Sequence, residues 1–215
     1  MKMNLPNRLT LLRLCLVPVF LVFGMIADIW LDPLLTSLIC AIIFIGTAIT
    51  DFLDGNIARK NNLVTDFGKF LDPIADKFMV IGAMFVLLFR FEAPALKVAM
   101  IIALIVVVFR ELAVTSMRLV VSTGQNIVVA ANILGKVKTV LQIVAIATAF
   151  LEPCVQFVAE KIMNRPLVAD FSSDILNVLL QTPLTWLTLA ASLVMTVWSG
   201  LDYILAYWKY LDPQK

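Results

Sequence analysis

Residues 101–109 read Ile-Ile-Ala-Leu-Ile-Val-Val-Val-Phe, nine successive apolar side chains with no polar face at either helical or strand periodicity. A half-buried strand alternates and an amphipathic helix keeps a polar stripe, so a run of this kind has no side suited to water. Val137–Leu151 is predominantly apolar over a helical length as well, in a chain of 215 residues that is 61% hydrophobic and only 15% charged. An ordinary soluble domain carries roughly 25% charged residues. The mean hydropathy of +0.98 points the same way. In lipid the backbone must satisfy its own hydrogen bonds, which leaves helices or closed barrels. These runs are too long and too uniform for the alternating, roughly 9 to 11-residue strands of a barrel. The sequence therefore predicts an all-α polytopic membrane protein.

Apolar runs of about 20 residues place six transmembrane helices, near Leu9–Ala27, Leu34–Asp54, Phe67–Leu88, Leu96–Val121, Ala131–Leu151 and Pro183–Tyr207. An even number puts both termini on one side. Of the 17 Lys and Arg residues, only Arg90, Lys97, Lys161 and Arg165 fall on the other side. The positive-inside rule then makes both termini, and the loops after spans 2 and 4, cytoplasmic. Arg13 and Pro18 interrupt the first apolar run, so it is expected as a retained span and not a cleaved signal. Glu152–Thr182 is the longest interruption and is expected as an outer loop with one or two interfacial helical pieces. With no internal repeat, low-complexity tract or long linker, residues 1–215 read as one domain. Trp30, Trp186, Trp198, Tyr203, Tyr207, Trp208 and Tyr210 fall near span ends and are expected as interfacial belts, with Lys69 and Lys77 as anchors.

The chemistry available is narrow. Histidine is absent, which excludes a His general base, a Ser-His-Asp triad and any His-ligated metal. The three cysteines, Cys15, Cys40 and Cys154, lack the close spacing of a zinc site. A net charge of +2 without a basic-aromatic stretch gives no reason to expect nucleic acid. Carboxylates, Lys, Arg and hard metal ions remain.

Four aspartates stand where apolar spans should exclude them: Asp51 and Asp54, three apart, and Asp72 and Asp76, four apart. Each pair lies on one face of its helix, and a hairpin of spans 2 and 3 would bring all four together. An ionised Asp at the bilayer centre costs roughly 2.5 to 3.5 kcal/mol, less near the interface. Converging carboxylates also repel, and divalent cations would offset both penalties. All-oxygen ligands favour Mg²⁺ first, then Mn²⁺ or Ca²⁺, and two such ions suit displacement at phosphorus. Gly55 and Gly68 permit close backbone approach, Ala58 keeps its helix face narrow, and Arg59 offers a planar fork for phosphate oxygens.

The pattern Asp51-x-x-Asp54-Gly55-x-x-Ala58-Arg59, eight residues, Gly68, three residues, Asp72, three residues, Asp76 resembles the motif of the CDP-alcohol phosphotransferase family at all eight fixed positions. The resemblance implies a six-helix membrane enzyme, usually a homodimer, that transfers a substituted phosphate from a CDP-linked donor to an alcohol and releases CMP. It implies that Asp51 and Asp72 each contact both of two divalent cations, Asp54 the first and Asp76 the second, with Asp76 also accepting the acceptor's proton. It implies donor contacts at Pro6, Asn7, Gly55, Arg59 and Thr65, alongside Ala58 and Gly68. The blocks Asn4–Arg13, Thr65–Lys77, Arg110–Arg118 and Gly135–Thr139 are similar to the bacterial branch that takes CDP-diacylglycerol as donor and sn-glycerol 3-phosphate as acceptor. That branch implies the bacterial cytoplasmic membrane, with the site facing the cytoplasm.

Charge independently favours a phosphorylated acceptor. Arg110, Arg118, Lys136 and Lys138 are expected to form a basic pocket beside the carboxylates, with Glu111 orienting Arg110. Arg13 is a further candidate, binding phosphate or reaching to lipid headgroups. Two other readings stay open at this stage: a sister enzyme with a different acceptor, such as a cardiolipin or phosphatidylinositol phosphate synthase, and a cation transporter whose intramembrane aspartates hold the ion.

Overall fold

In a computed structural model, the described residues 4–60, 65–125, 133–163 and 179–208 form six long helices and no strand. They are α1 (Leu5–Ile26), α2 (Pro33–Lys60), α3 (Asp66–Arg90), α4 (Pro94–Gln125), α5 (Ile133–Met163) and α6 (Pro183–Tyr207), with a short 3₁₀ turn at Ala27–Ile29. Helix starts follow local chemistry. Pro33, Pro94 and Pro183 open α2, α4 and α6, where the missing N–H would have had no helical partner. The Asp32 carboxylate accepts the N–H of Leu34 at 2.8 Å, and the Thr65 hydroxyl caps α3 by accepting the N–H of Gly68 at 3.1 Å.

The core runs through the middle of the bundle, built from Val17, Phe20, Ala41, Phe44, Met79, Ala83, Leu87, Met100, Ala103, Ala149 and Phe150 among others. Small residues let helices approach closely, and Phe20 meets Phe150 edge to face at 6.3 Å between ring centroids. Large apolar side chains such as Val19, Ile42, Ile105, Phe109, Val140 and Leu205 lie on the outside, as a lipid-facing surface requires and a water-facing one forbids. Among the described residues five helical stretches are long and apolar enough to cross a membrane: Asn7–Ile29, Pro33–Leu53, Pro94–Val121, Ile133–Met163 and Pro183–Tyr207. The sixth helix, α3, has the length but falls outside this set. Its first half carries Asp66, Lys69, Asp72, Asp76 and Lys77.

One expectation is corrected here. Span 5 does not end at Leu151, because α5 continues unbroken to Met163. The first twelve residues of the expected outer loop are therefore helical, while residues 164–178 lie outside the described set. Glu152, expected to begin the outer loop, and Pro153 beside it are accommodated inside this helix. Glu152 is buried, and its two carboxylate oxygens accept the N–H groups of Leu184 and Thr185 at 3.0 and 2.8 Å, so a charge that looked incompatible with a span caps the first turn of α6. The turn expected between α2 and α3 includes residues 61–64, which lie outside the described set. The carboxylates of Asp51 on α2 and Asp76 on α3 meet directly, and α1 packs against both helices.

Because successive helices run in opposite directions, the start of α1, the end of α2, the start of α3, the end of α4, the start of α5 and the end of α6 gather at one end of the bundle. Cross-helix contacts there include Thr10 with Asp72 and Lys138 with Glu111. At the opposite end Arg90 pairs with Asp28 at 2.8 Å.

Candidate active site

The carboxylates of Asp51 on α2 and of Asp72 and Asp76 on α3 meet at that end, and α1 stitches them together. Arg13, only 4% exposed, donates to Asp51 and lies 3.6 Å from Asp76. One turn earlier, the buried Thr10 hydroxyl donates to the Asp72 carboxylate at 2.7 Å. One turn before that, Asn7 accepts from the Thr65 hydroxyl at 2.9 Å. Asn7, Thr10 and Arg13 are spaced three apart on one face of α1, so a single helical stripe addresses the start of α3 and its carboxylates. Asp51 and Asp72 are near enough to act electrostatically on Asp76. Gly68 is required by close approach: a Cβ there would stand 2.9 Å from the Asn7 amide oxygen and 3.3 Å from the Thr65 hydroxyl. Gly55 is half-buried on α2. The side chains of Pro6, Asp54, Ala58 and Arg59 lie outside the described residues.

Among the described residues no three carboxylates or thiols are grouped closely enough to hold a metal ion as they stand. The guanidinium of Arg13 instead supplies positive charge between Asp51 and Asp76, the place where converging carboxylates need it. Arg13, expected to bind phosphate or reach to headgroups, stands in the carboxylate cluster.

The second cluster begins one residue beyond Asp76. Lys77 donates to the Thr115 hydroxyl at 2.6 Å and lies 3.8 Å from the Glu111 carboxylate on α4. Glu111 also accepts from Arg110 at 3.0 Å and from Lys138 on α5, whose side chain is 5% exposed. Arg110 reaches α6, donating to the Ser199 hydroxyl at 3.0 Å. Tyr203, one turn on, takes both arginines: the Arg110 and Arg118 guanidinium carbons each lie 5.8 Å from its ring centroid, and Arg118 donates to its hydroxyl at 3.3 Å. Gly200 makes room for this arrangement, since a Cβ there would sit 3.1 Å from Cγ of Arg110. Arg110, Arg118 and Lys138 are thus brought together, whereas Lys136 is exposed on α5 and makes none of these contacts.

Three participants had a different expected place or none. Lys77 bonds within the polar cluster where an interfacial anchor was expected, and Tyr203 is buried at 6% exposure where a belt residue was expected. Thr10 was not singled out. A signal for α6 was present in the sequence: Ser192, Thr196, Ser199 and Tyr203 recur at helical spacing inside an otherwise apolar span, and all four are buried. A polar stripe in such a helix has to face protein.

A family model described as CDP-alcohol phosphatidyltransferase matches residues 3–198. The chain is 38% identical over 215 residues to a protein of Bacillus subtilis (strain 168) named CDP-diacylglycerol–glycerol-3-phosphate 3-phosphatidyltransferase, covering 97% of each. Proteins with the same name from Yersinia enterocolitica and Rickettsia bellii are 32% identical over 217 residues and 37% identical over 148 residues. These alignments cover 99% and 69% of this chain, and 100% and 75% of the relatives.

Proposed function

The chain belongs to the CDP-alcohol phosphatidyltransferase family, and on that premise we propose that it transfers the phosphatidyl group of CDP-diacylglycerol to sn-glycerol 3-phosphate, yielding phosphatidylglycerophosphate and CMP. The observation that carries this reading is the adjacency of two clusters of opposite character. Carboxylates on α2 and α3 are followed, one residue past Asp76, by a basic group that draws on α3, α4 and α5. A phosphorylated alcohol with its phosphate on Arg110, Arg118 and Lys138 directs its free hydroxyl toward the carboxylates, and the names of the relatives supply the matching donor and acceptor. Lys136 and Arg13 are left with peripheral roles, Lys136 attracting the anion from solution and Arg13 holding carboxylates.

The acidic residues fit divalent cations in their donor chemistry. Asp51, Asp72 and Asp76 present only hard oxygen ligands, and the Asp51 and Asp76 side chains are 35% and 49% exposed, open to an arriving ion. These three with Asp54 would hold the ions, Mg²⁺ first and Mn²⁺ second. Bound there, they would offset charge on the donor phosphates and on departing CMP. The protein's own groups do the rest. Asn7, Thr65 and Gly68 shape the donor side, together with Pro6, Gly55, Ala58 and Arg59. Asp76 accepts the proton of the acceptor's primary hydroxyl as that oxygen attacks the phosphorus bearing the diacylglycerol; one P–O bond forms and the bond to CMP breaks. The reading includes one domain with α3 as a sixth membrane-crossing helix, both termini and the site on the cytoplasmic face of a bacterial inner membrane, and a homodimer.

The test is product identity. Purified protein in detergent, given CDP-diacylglycerol and Mg²⁺ with a panel of alcohols, should yield phosphatidylglycerophosphate by mass spectrometry with glycerol 3-phosphate. Product with inositol phosphate or phosphatidylglycerol instead would reassign the acceptor. Cation flux in vesicles with no CMP release from any alcohol would replace the enzyme with a transporter.

A further inference from the structure

We infer that Glu111 is a positioning residue for the acceptor's phosphate: one carboxylate that gathers cations from three helices into a preformed anion site. The inference rests on the acceptor reading above and adds to it the group that sets the site's affinity.

Glu111 is held on three sides. Lys138 of α5 and Arg110 of its own helix both donate to one carboxylate oxygen, and Lys77 of α3 approaches the other at 3.8 Å. Around the rim, Ser199 and Tyr203 of α6 fix Arg110 from the far side, and Tyr203 fixes Arg118. The Lys138 side chain is 5% exposed and that of Glu111 15%, so neither charge is well served by water. Without the carboxylate, three cations would face one another in a poorly hydrated space, repel and separate. With it they are drawn together, and two net positive charges remain unmatched by Glu111.

That surplus suits a phosphate monoester, which carries about −1.5 to −2 at neutral pH. A neutral alcohol leaves the surplus unsatisfied, and a zwitterionic one adds an ammonium that the cluster repels. Glu111 therefore acts through its neighbours. It touches neither the reacting hydroxyl nor the donor, and its effect should appear in acceptor binding before it appears in turnover.

The discriminating experiment is the full kinetic comparison of wild type with Glu111→Gln, which keeps size and one acceptor oxygen but loses the charge. The KM for glycerol 3-phosphate should rise about tenfold or more, while the KM for CDP-diacylglycerol and kcat at saturating acceptor stay within about twofold. Combined with Lys138→Met, the loss should be far less than the product of the two single losses, since both break one unit. If Glu111→Gln does not accumulate in the membrane, Glu111→Asp keeps the charge and should give the same split at about threefold. An acceptor KM unchanged within twofold would overturn the inference. So would equal rises in both KM values accompanied by a lower melting temperature, the mark of a purely structural role. Absence of glycerol 3-phosphate-dependent turnover in the wild type would remove the acceptor reading and this inference with it, a failure recognised without any variant.

Discussion

Replacing Arg13 by Met should destabilise the metal-free protein by about 2 kcal/mol, and Mg²⁺ should restore most of that loss. Arg13 is buried, bonded to Asp51 and 3.6 Å from Asp76. At an effective dielectric of about 20, a pair at that separation attracts by roughly 4 to 5 kcal/mol. Desolvating the guanidinium offsets a large part of this, and the partly exposed carboxylates are screened further, which brings the net effect to about 2 kcal/mol. In a chain of this size that corresponds to a fall in Tm of about 4 to 8 °C. Arg13→Met keeps similar bulk and leaves the carboxylates facing one another without it, so a divalent cation should stabilise the variant more than the wild type. The assay is thermal unfolding in detergent with chelator and with Mg²⁺. A Tm for Arg13→Met equal to wild type in chelator, or a loss that Mg²⁺ leaves untouched, would refute the reasoning that Arg13 offsets charge where cations bind.

Other substitutions probe single contacts. Thr10→Val removes the hydroxyl that donates to Asp72 at 2.7 Å; a hydrogen bond to a charged group contributes about 1.5 to 3 kcal/mol, and kcat/KM should fall at least about tenfold in a CMP-release assay. Gly200→Ala places a Cβ 3.1 Å from Arg110 and should raise the KM for glycerol 3-phosphate several-fold while leaving donor KM alone. Glu152→Gln leaves one of two acceptor oxygens for the start of α6, and thermal unfolding should show a loss of about 1 to 2 kcal/mol with the acceptor KM unchanged.

Periodicity and hydropathy made most of the fold legible because lipid imposes a strong local rule: a helix that is apolar all round has to be in the membrane. Pro183–Tyr207 matches its expected bounds at both ends, and the other helices differ mainly at their termini. The same rule failed at Glu152, since hydropathy records a charge and cannot record the two N–H groups that α6 aims at it. It also failed at Tyr203, where an aromatic near a span end is ambiguous until the helix's neighbours are known. The spacing of the aspartates showed which faces they share on α2 and α3, and the structure does bring Asp51, Asp72 and Asp76 together. What spacing could not show was the part α1 plays: it packs against both helices, and Thr10 and Arg13 serve the carboxylates because of a packing order that no local pattern encodes. Lys136, expected in the same cluster as Arg110, Arg118 and Lys138, is exposed on α5 and makes none of the contacts that join those three.

The central claim is that the Asp cluster and the adjacent basic cluster act together on one phosphorylated acceptor. CMP release from CDP-diacylglycerol, measured side by side for wild type and Asp76→Asn with and without glycerol 3-phosphate, in Mg²⁺ and in chelator, tests it most directly. The account predicts release only in wild type, only with Mg²⁺, and only when glycerol 3-phosphate is present, with Asp76→Asn still folded but silent. Release that ignores glycerol 3-phosphate, or that survives at near-normal rate in Asp76→Asn, would contradict it.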